Sequence, residues 1–243
     1  GSNPTFRATL RNHAAYAQLQ ADLSDNINVN VGVRYEHASE SVVPVIVYTS
    51  SNVSLPPSTG LSRTYWLPAA TLTYQFSPEM QFRLSASKTI ARPQFRELVF
   101  QTYYDSESNV TYQGNPQLVD SQLYNAEGRF EYYFARDQRV SLGLFYKKID
   151  NPIETYASFD GNNVITRFAN APRATLYGGE IELQKHFDLS NWTGNFWANR
   201  RAVLIANYTY TQSKISVNAT DPVAAYPFTG ATLASQFFRD GSS

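Results

Sequence analysis

The chain has 243 residues, with 20 Lys plus Arg and 20 Asp plus Glu; its formal net charge of +0 gives no overall field to draw it to nucleic acid. It contains no cysteine, which excludes disulfide staples, thiolate metal sites and a thiol nucleophile. Charged residues make up only 16% and aromatics 14%, with 17 Tyr and 15 Phe, a mixture that favours β-strands. No run approaches the roughly 20 apolar residues of a membrane helix, and mean hydropathy is -0.38. Membrane strands escape that test, because only every second residue of such a strand meets lipid.

In chain order, Gly1-Ser2 reads as an expression scar with no signal peptide behind it, so the chain is expected to come from a longer precursor. Residues 1–13 read as that scar plus a partial loop or strand lead-in, 14–216 as strands and loops, and 217–243 as a cut extracellular loop. Period two starts at Ala15: Ala15, Ala17, Leu19, Ala21 and Leu23 form an apolar row, interleaved with Tyr16, Gln18, Gln20 and Asp22. After Ser24-Asp25-Asn26 the pattern restarts, with Ile27, Val29, Val31, Val33 and Tyr35 opposite Asn28, Asn30, Gly32, Arg34 and Glu36. Two such runs around a tight polar turn predict a hairpin.

The unit recurs. Ala70 to Phe76 and Met80 to Ala86 flank Ser77-Pro78-Glu79, with Arg83 in the polar row. Ala126 to Phe134 and Val140 to Tyr146 flank Arg136-Asp137-Gln138, with Glu127, Arg129 and Glu131 in the polar row. In the last unit Glu180 and Glu182 alternate with Ile181 and Leu183, the chain turns at Asp188-Leu189-Ser190, and a strand returns over about 202–216. Between units lie long irregular segments at 44–62, 93–118 and 150–163, then 217 to the end.

Short turns alternating with long loops are the asymmetry of an outer-membrane barrel, and the rows are longer than the roughly 5 or 6 residues of a soluble strand. Within the apolar rows, Phe76, Phe82, Phe134 and Phe187 sit by the short turns, while Tyr35, Tyr146, Tyr177 and Tyr208 sit towards the loops. Two aromatic girdles would leave that trace. The fold class is therefore all-β: about eight long strands of an antiparallel up-and-down transmembrane barrel. A self-contained small β-barrel or β-sandwich acting as a binding or adhesion module is the alternative, since its strands alternate too.

Several strings carry a family resemblance. Ser87-Lys88-Thr89-Ile90-Ala91-Arg92-Pro93 resembles the strand end "S-x-x-x-A-R-P" of TonB-dependent outer-membrane receptors, and Gly114-Asn115-Pro116-Gln117-Leu118 resembles their "G-N-P-x-L" loop exit. Leu144-Phe145-Tyr146-Lys147-Lys148-Ile149, Tyr177-Gly178-Gly179-Glu180 and Ala206-Asn207-Tyr208-Thr209-Tyr210 follow in the expected order. The resemblance implies a 22-stranded plugged barrel in the bacterial outer membrane. Such a barrel imports a siderophore, cobalamin or a carbohydrate with energy delivered through TonB. Plug and TonB-contacting segments are expected in the full-length parent and not in this stretch, whose partners are expected to be outer-membrane lipid and a small ligand.

Candidate site residues follow from the rows and loops. Arg34, Glu36, Arg83, Glu127, Arg129, Glu131, Glu180 and Glu182 would line a wet lumen and pair across strands. Phe95, Arg96, Tyr103, Tyr104, Asp105 and Tyr112, on a polar loop, would capture ligand by stacking and hydrogen bonding, the bland alternative being that the loop packs on itself. His13, His37 and His186 lack paired spacing, so no metal is expected. The sequence also lacks a nucleophile elbow, a phosphate-binding loop and a dinucleotide fingerprint, so neither an enzyme nor a cofactor is expected.

Overall fold

A computed structural model describes residues 5–45, 58–160, 163–190, 196 and 200–216. The chain enters β1 (Thr5–Ser24), turns through two residues into β2 (Ile27–Val45), and resumes with β3 (Thr59–Ser77) and β4 (Met80–Ala91). A one-turn helix α1 (Phe95–Leu98) and a small hairpin, β5 (Thr102–Asp105) with β6 (Val110–Gln113), precede β7 (Ser121–Ala135) and β8 (Gln138–Asp150). A second hairpin, β9 (Ile153–Asp160) with β10 (Asn163–Asn170), leads to β11 (Arg173–Asp188) and β12 (Arg201–Ser216).

The long strands form one eight-stranded sheet in the order β1-β2-β3-β4-β7-β8-β11-β12, every neighbour antiparallel. This is the up-and-down sheet the alternation predicts. Two-residue turns join β1 to β2, β3 to β4 and β7 to β8, and the register shifts at each. Asp137 takes a positive φ of 57° in the last of these, a conformation that short polar side chains tolerate.

Because directly paired residues share a face, register sorts the side chains. Val31 pairs with Ala70, Ala70 with Ala86, Ala86 with Ala126 and Ala126 with Tyr146, so these form one row on one face. That face is bare: Val31 is 40%, Leu72 38% and Leu142 49% exposed, covered by neither a second sheet nor a helix among the described residues. The opposite face carries the charged rows.

The strands outreach the predicted rows. β1 begins at Thr5 rather than near Ala15, and the 19 residues of β2 span about 60 Å at ~3.3 Å per residue. Beyond Tyr35 the apolar residues change faces: Ala38 and Val42 lie on the charged face and are buried, while Val43 on the other face stays exposed. The buried core sits there, where Val42 packs with Leu98, Leu118 and Phe168, flanked by Phe6, Leu61, Val99, Tyr112 and Ile153. Burying each large side chain contributes about 1.5–3 kcal/mol.

Leu98, Leu118 and Phe168 come from segments expected to be irregular or to lie between strands. The segments 93–118 and 150–163 instead supply β5, β6 and β9, which with β10 make a second sheet in the order β5-β6-β10-β9. Its join is a two-residue parallel pairing of Thr166 with Tyr112 and Arg167 with Gln113, more than fifty positions apart, which no local pattern encodes. The last two long strands keep the expected places, β11 ending at Asp188 and β12 running from Arg201 to Ser216. The expected final loop at 217–243 lies outside the described residues.

Candidate functional site

Register brings all eight predicted charged-row residues to one face and joins every one of them into an ion pair. Arg34 Nε donates to Glu36 Oε2 at 2.9 Å, and Arg92 donates to Glu36 Oε1. Arg83 lies 3.8 Å from Glu131, which also accepts from Gln81. Arg129 bridges Glu127 at 3.2 Å and Glu180, while Arg139 holds Glu182 at 3.0 Å. Glu180 and Glu182 thus face separate cations and form no carboxylate pair of the kind acid–base chemistry uses.

Arg92, Gln81 and Arg139 were missed as members of this network. Arg92 lies inside the Ala91-Arg92-Pro93 string, but its partner is 56 positions away on β2. Gln81 and Arg139 sit beside short turns, where the pattern of rows blurs.

Above the network, Asp120 neighbours Tyr65, and Glu40 is buried with Oε2 unpaired among the described residues. Glu40 lies five positions beyond Tyr35, outside the apolar band. Burial, reinforced by the charge of Asp120, holds its carboxyl above the ordinary range against the pull of Arg92.

The six loop residues divide. Tyr103 stacks on Tyr112 with centroids 5.6 Å apart, and Tyr112 stacks on Phe168 at 5.9 Å, so these two pack the loop on itself. Burial raises the Tyr103 phenol. Asp105 closes its own turn, accepting from Glu107 N and Ser108 Oγ at 3.0 Å each; the Glu107 amide first, and then the Ser108 hydroxyl, holds its carboxyl low. Phe95, Arg96 and Tyr104 stay on the surface, Tyr104 being 61% exposed with its hydroxyl donating to Asn109.

Asn115 is the buried joint of the loops. Its Nδ2 donates to Phe168 O at 3.0 Å, its Oδ1 accepts from Gln117 N at 2.9 Å, and its N–H donates to Glu97 O at 2.6 Å. Thr59 Oγ1 ties the adjacent Pro116 O to β3 at 2.8 Å. Gly114 is obligatory beside it, since an added Cβ would lie 2.3 Å from Val99 O and 2.8 Å from Glu97 O.

Aromatic pairs mark both ends of the bare face. Tyr74 and Phe76 meet edge-on at 4.6 Å by the short turns, and Tyr35 meets Trp66 at 5.0 Å towards the loops. Tyr208 departs from its expected place near the loops, since it pairs with Ile181 in the middle of β11. His13 and His37 prove to be cross-strand partners, yet no cluster of three metal-ligating side chains occurs among the described residues.

Residues 1–241 match the family described as TonB dependent receptor-like, beta-barrel. The chain belongs to that family. TonB-dependent receptors are bacterial outer-membrane receptors and transporters, not enzymes.

Solved structures with this fold include the copper transporter OprC, with 14% identity, TM-score 0.63, and coverage of 89% of this chain and 30% of that one. The Serratia marcescens hemophore receptor HasR, solved with its hemophore and heme, matches with 14% identity, TM-score 0.61, and coverage of 86% and 34%. The siderophore receptor PirA from Pseudomonas aeruginosa matches with 17% identity, TM-score 0.52, and coverage of 86% and 44%. The chain therefore spans less than half of each of these proteins, and at such identities the likeness is one of fold.

Proposed function

We propose that this chain is wall and loop of an outer-membrane receptor that binds a scarce ligand and imports it with energy delivered through TonB. One observation supports the reading above the others: the sheet has two unlike faces, apolar and bare on one side, charged and ion-paired on the other. A water-soluble module would bury the first face, whereas a barrel wall turns it to acyl chains. The bare face and the uncovered Val31, Leu72 and Leu142 weigh against the self-contained barrel or sandwich.

In this reading Arg34, Glu36, Arg83, Glu127, Arg129, Glu131, Glu180 and Glu182 line the lumen, and a plug from the rest of the receptor meets them. The loop end faces outward, and Phe95, Arg96 and Tyr104 are the ligand contacts. Tyr103, Asp105 and Tyr112 hold that surface in shape. The ligand class is a siderophore, cobalamin or a carbohydrate, and siderophore receptors stand among the structures of like fold.

The experiment is ligand binding by the complete receptor with Tyr104→Ala and Phe95→Ala against Tyr112→Ala. The first two should weaken binding about tenfold or more while leaving the unfolding temperature unchanged, a stacking contact being worth ~1–3 kcal/mol. Unaltered binding by both would remove the loop from the site.

A further inference from the structure

The net charge of the chain is zero, but register distributes it unevenly. On the bare face of the eight-stranded sheet the described cations are Arg7, Arg11, Lys88, Lys148, Arg173 and Lys214 at the loop end, with Lys185 alone by the turns. The single carboxylate on that face among the described strand residues is Asp150, shared by Lys148 at 3.1 Å and Arg173 at 3.6 Å. The other strand carboxylates of this sheet face the opposite way.

Three of these cations share one register row. Lys88 pairs with Tyr124, Tyr124 with Lys148, Lys148 with Thr175, and Thr175 with Lys214, across β4, β7, β8, β11 and β12. The Lys88 and Lys148 ammonium groups lie 5.4 Å and 5.3 Å from the centroid of the Tyr124 ring, held from both sides. Asp150 answers Lys148, but neither Lys88 nor Lys214 has an ion-pair partner among the described residues, so the row keeps an excess of positive charge that suits an anion.

Directly beneath, the face is hollowed. Ala70, Ala86 and Ala126 lie side by side with Gly128 one step down, and Leu72, Leu84, Leu144 and Tyr146 stand around them. They leave an open groove of about 610 Å³, continued by one of about 550 Å³ that reaches Lys88 and Tyr124. An apolar trough capped by cations matches an amphiphile with an acyl chain and an anionic head.

We propose that Lys88, Tyr124, Lys148 and Lys214, with the Ala70–Ala86–Ala126 groove, form a site for a phosphate-bearing lipid of the outer leaflet, its phosphate on the lysines and an acyl chain in the groove. The inference rests on the reading that the bare face meets lipid with its loop end outward. Charge complementarity selects the lipid: the ammonium groups are point donors suited to phosphate, and the row lies one step past the Tyr146 and Tyr177 girdle, at headgroup depth.

The test uses the complete receptor, delipidated in maltoside micelles and titrated with diphosphoryl lipid A or its dephosphorylated form, adducts being counted by native mass spectrometry. The diphosphoryl lipid should bind more tightly. Lys88→Gln, Lys148→Gln and Lys214→Gln should each weaken it about fivefold and leave the dephosphorylated lipid unchanged. Ala86→Trp, which fills the groove without altering charge, should weaken both. Heat-modifiable mobility checks that each variant is folded. Lipid binding insensitive to phosphate or to the lysines would overturn the site. A fluorophore on Leu144→Cys keeps the two readings apart: quenching by brominated lipid alongside insensitive lipid A binding sinks this site alone, whereas no quenching sinks the membrane-facing reading with it.

Discussion

Arg92, the first residue past β4, reaches over β3 to the Glu36 carboxylate on β2, which Arg34 holds from its other oxygen. Glu36 is 5% exposed, so two guanidinium groups compensate one buried charge. They also pin the start of the α1 segment to the wall. Arg92→Ala should cost about 2 kcal/mol, short of the ~3–5 of a wholly abandoned buried charge because Arg34 remains. Thermal unfolding in detergent measures it, and a loss below about 0.5 kcal/mol would mean the pair is no more than a surface contact.

Leu144 is 61% exposed in the middle of the bare face. Leu144→Arg should cost about 2–4 kcal/mol in a bilayer, where a cation at mid-depth meets hydrocarbon. The neighbouring Phe145 faces the other way, over Gly178. Folding titrations in liposomes compare the variant with wild type; equal stability would show that Leu144 does not meet acyl chains.

Gly178 holds β12 close. A Cβ there would lie 2.0 Å from Tyr210 O and 2.8 Å from the Phe145 ring, and the carbonyl cannot step aside without parting β11 from β12. Gly178→Ala should cost roughly 1–3 kcal/mol or more, the scale of overpacking. At Gly60 the same substitution meets only Glu40 O at 3.8 Å, an ordinary contact, and should be near neutral. The reverse ranking in denaturant melts would refute the close approach.

Asn115→Ala should release the loop sheet from the wall. It strands the Phe168 carbonyl and the Gln117 amide in a buried joint, at about 1–3 kcal/mol for each group left unpaired. Hydrogen exchange should quicken across β5, β6, β9 and β10 while the long strands stay protected. Uniform acceleration would show that the loop sheet and wall unfold as one.

Glu40 sets a pH dependence of known sign. Burial, with Asp120 beside it, raises its carboxyl above the ordinary 4.5 in the folded state. A raised acid favours the protonated fold, so its stabilisation is full below the unfolded value and is lost as pH rises through the folded one. Glu40→Gln should therefore unfold at a higher temperature than wild type at neutral pH, by on the order of 1 kcal/mol, and match it near pH 4. Asp105, held low by the Glu107 amide, acts in the opposite sense in both proteins and cancels in the comparison. Equal unfolding temperatures at neutral pH would remove the effect.

The wall was legible in the residues. The type of the long strands, the places of the short turns and the division into Val31, Leu72 and Leu142 on one face and Arg34, Arg129 and Glu180 on the other all follow from period two. A strand's backbone alternates its side chains whatever surrounds it. The loops were not legible. Tyr103 and Tyr112 read as ligand contacts because a local pattern cannot tell an aromatic aimed at solvent from one stacked on Phe168, 56 positions beyond Tyr112. The second sheet hides for the same reason, since its strands are short and its joining pair comes from distant segments.

By itself, then, the sequence determined what each long strand of the wall is and which of its side chains share a face, since alternation is a property of the local backbone. Only the tertiary structure decided which residues meet across strands: Arg92 with Glu36, Lys88 and Lys148 with Tyr124, and Asn115 with Phe168. Register and loop closure bring those groups together from positions 24 to 56 apart, and they do so through contacts that no short stretch of chain contains.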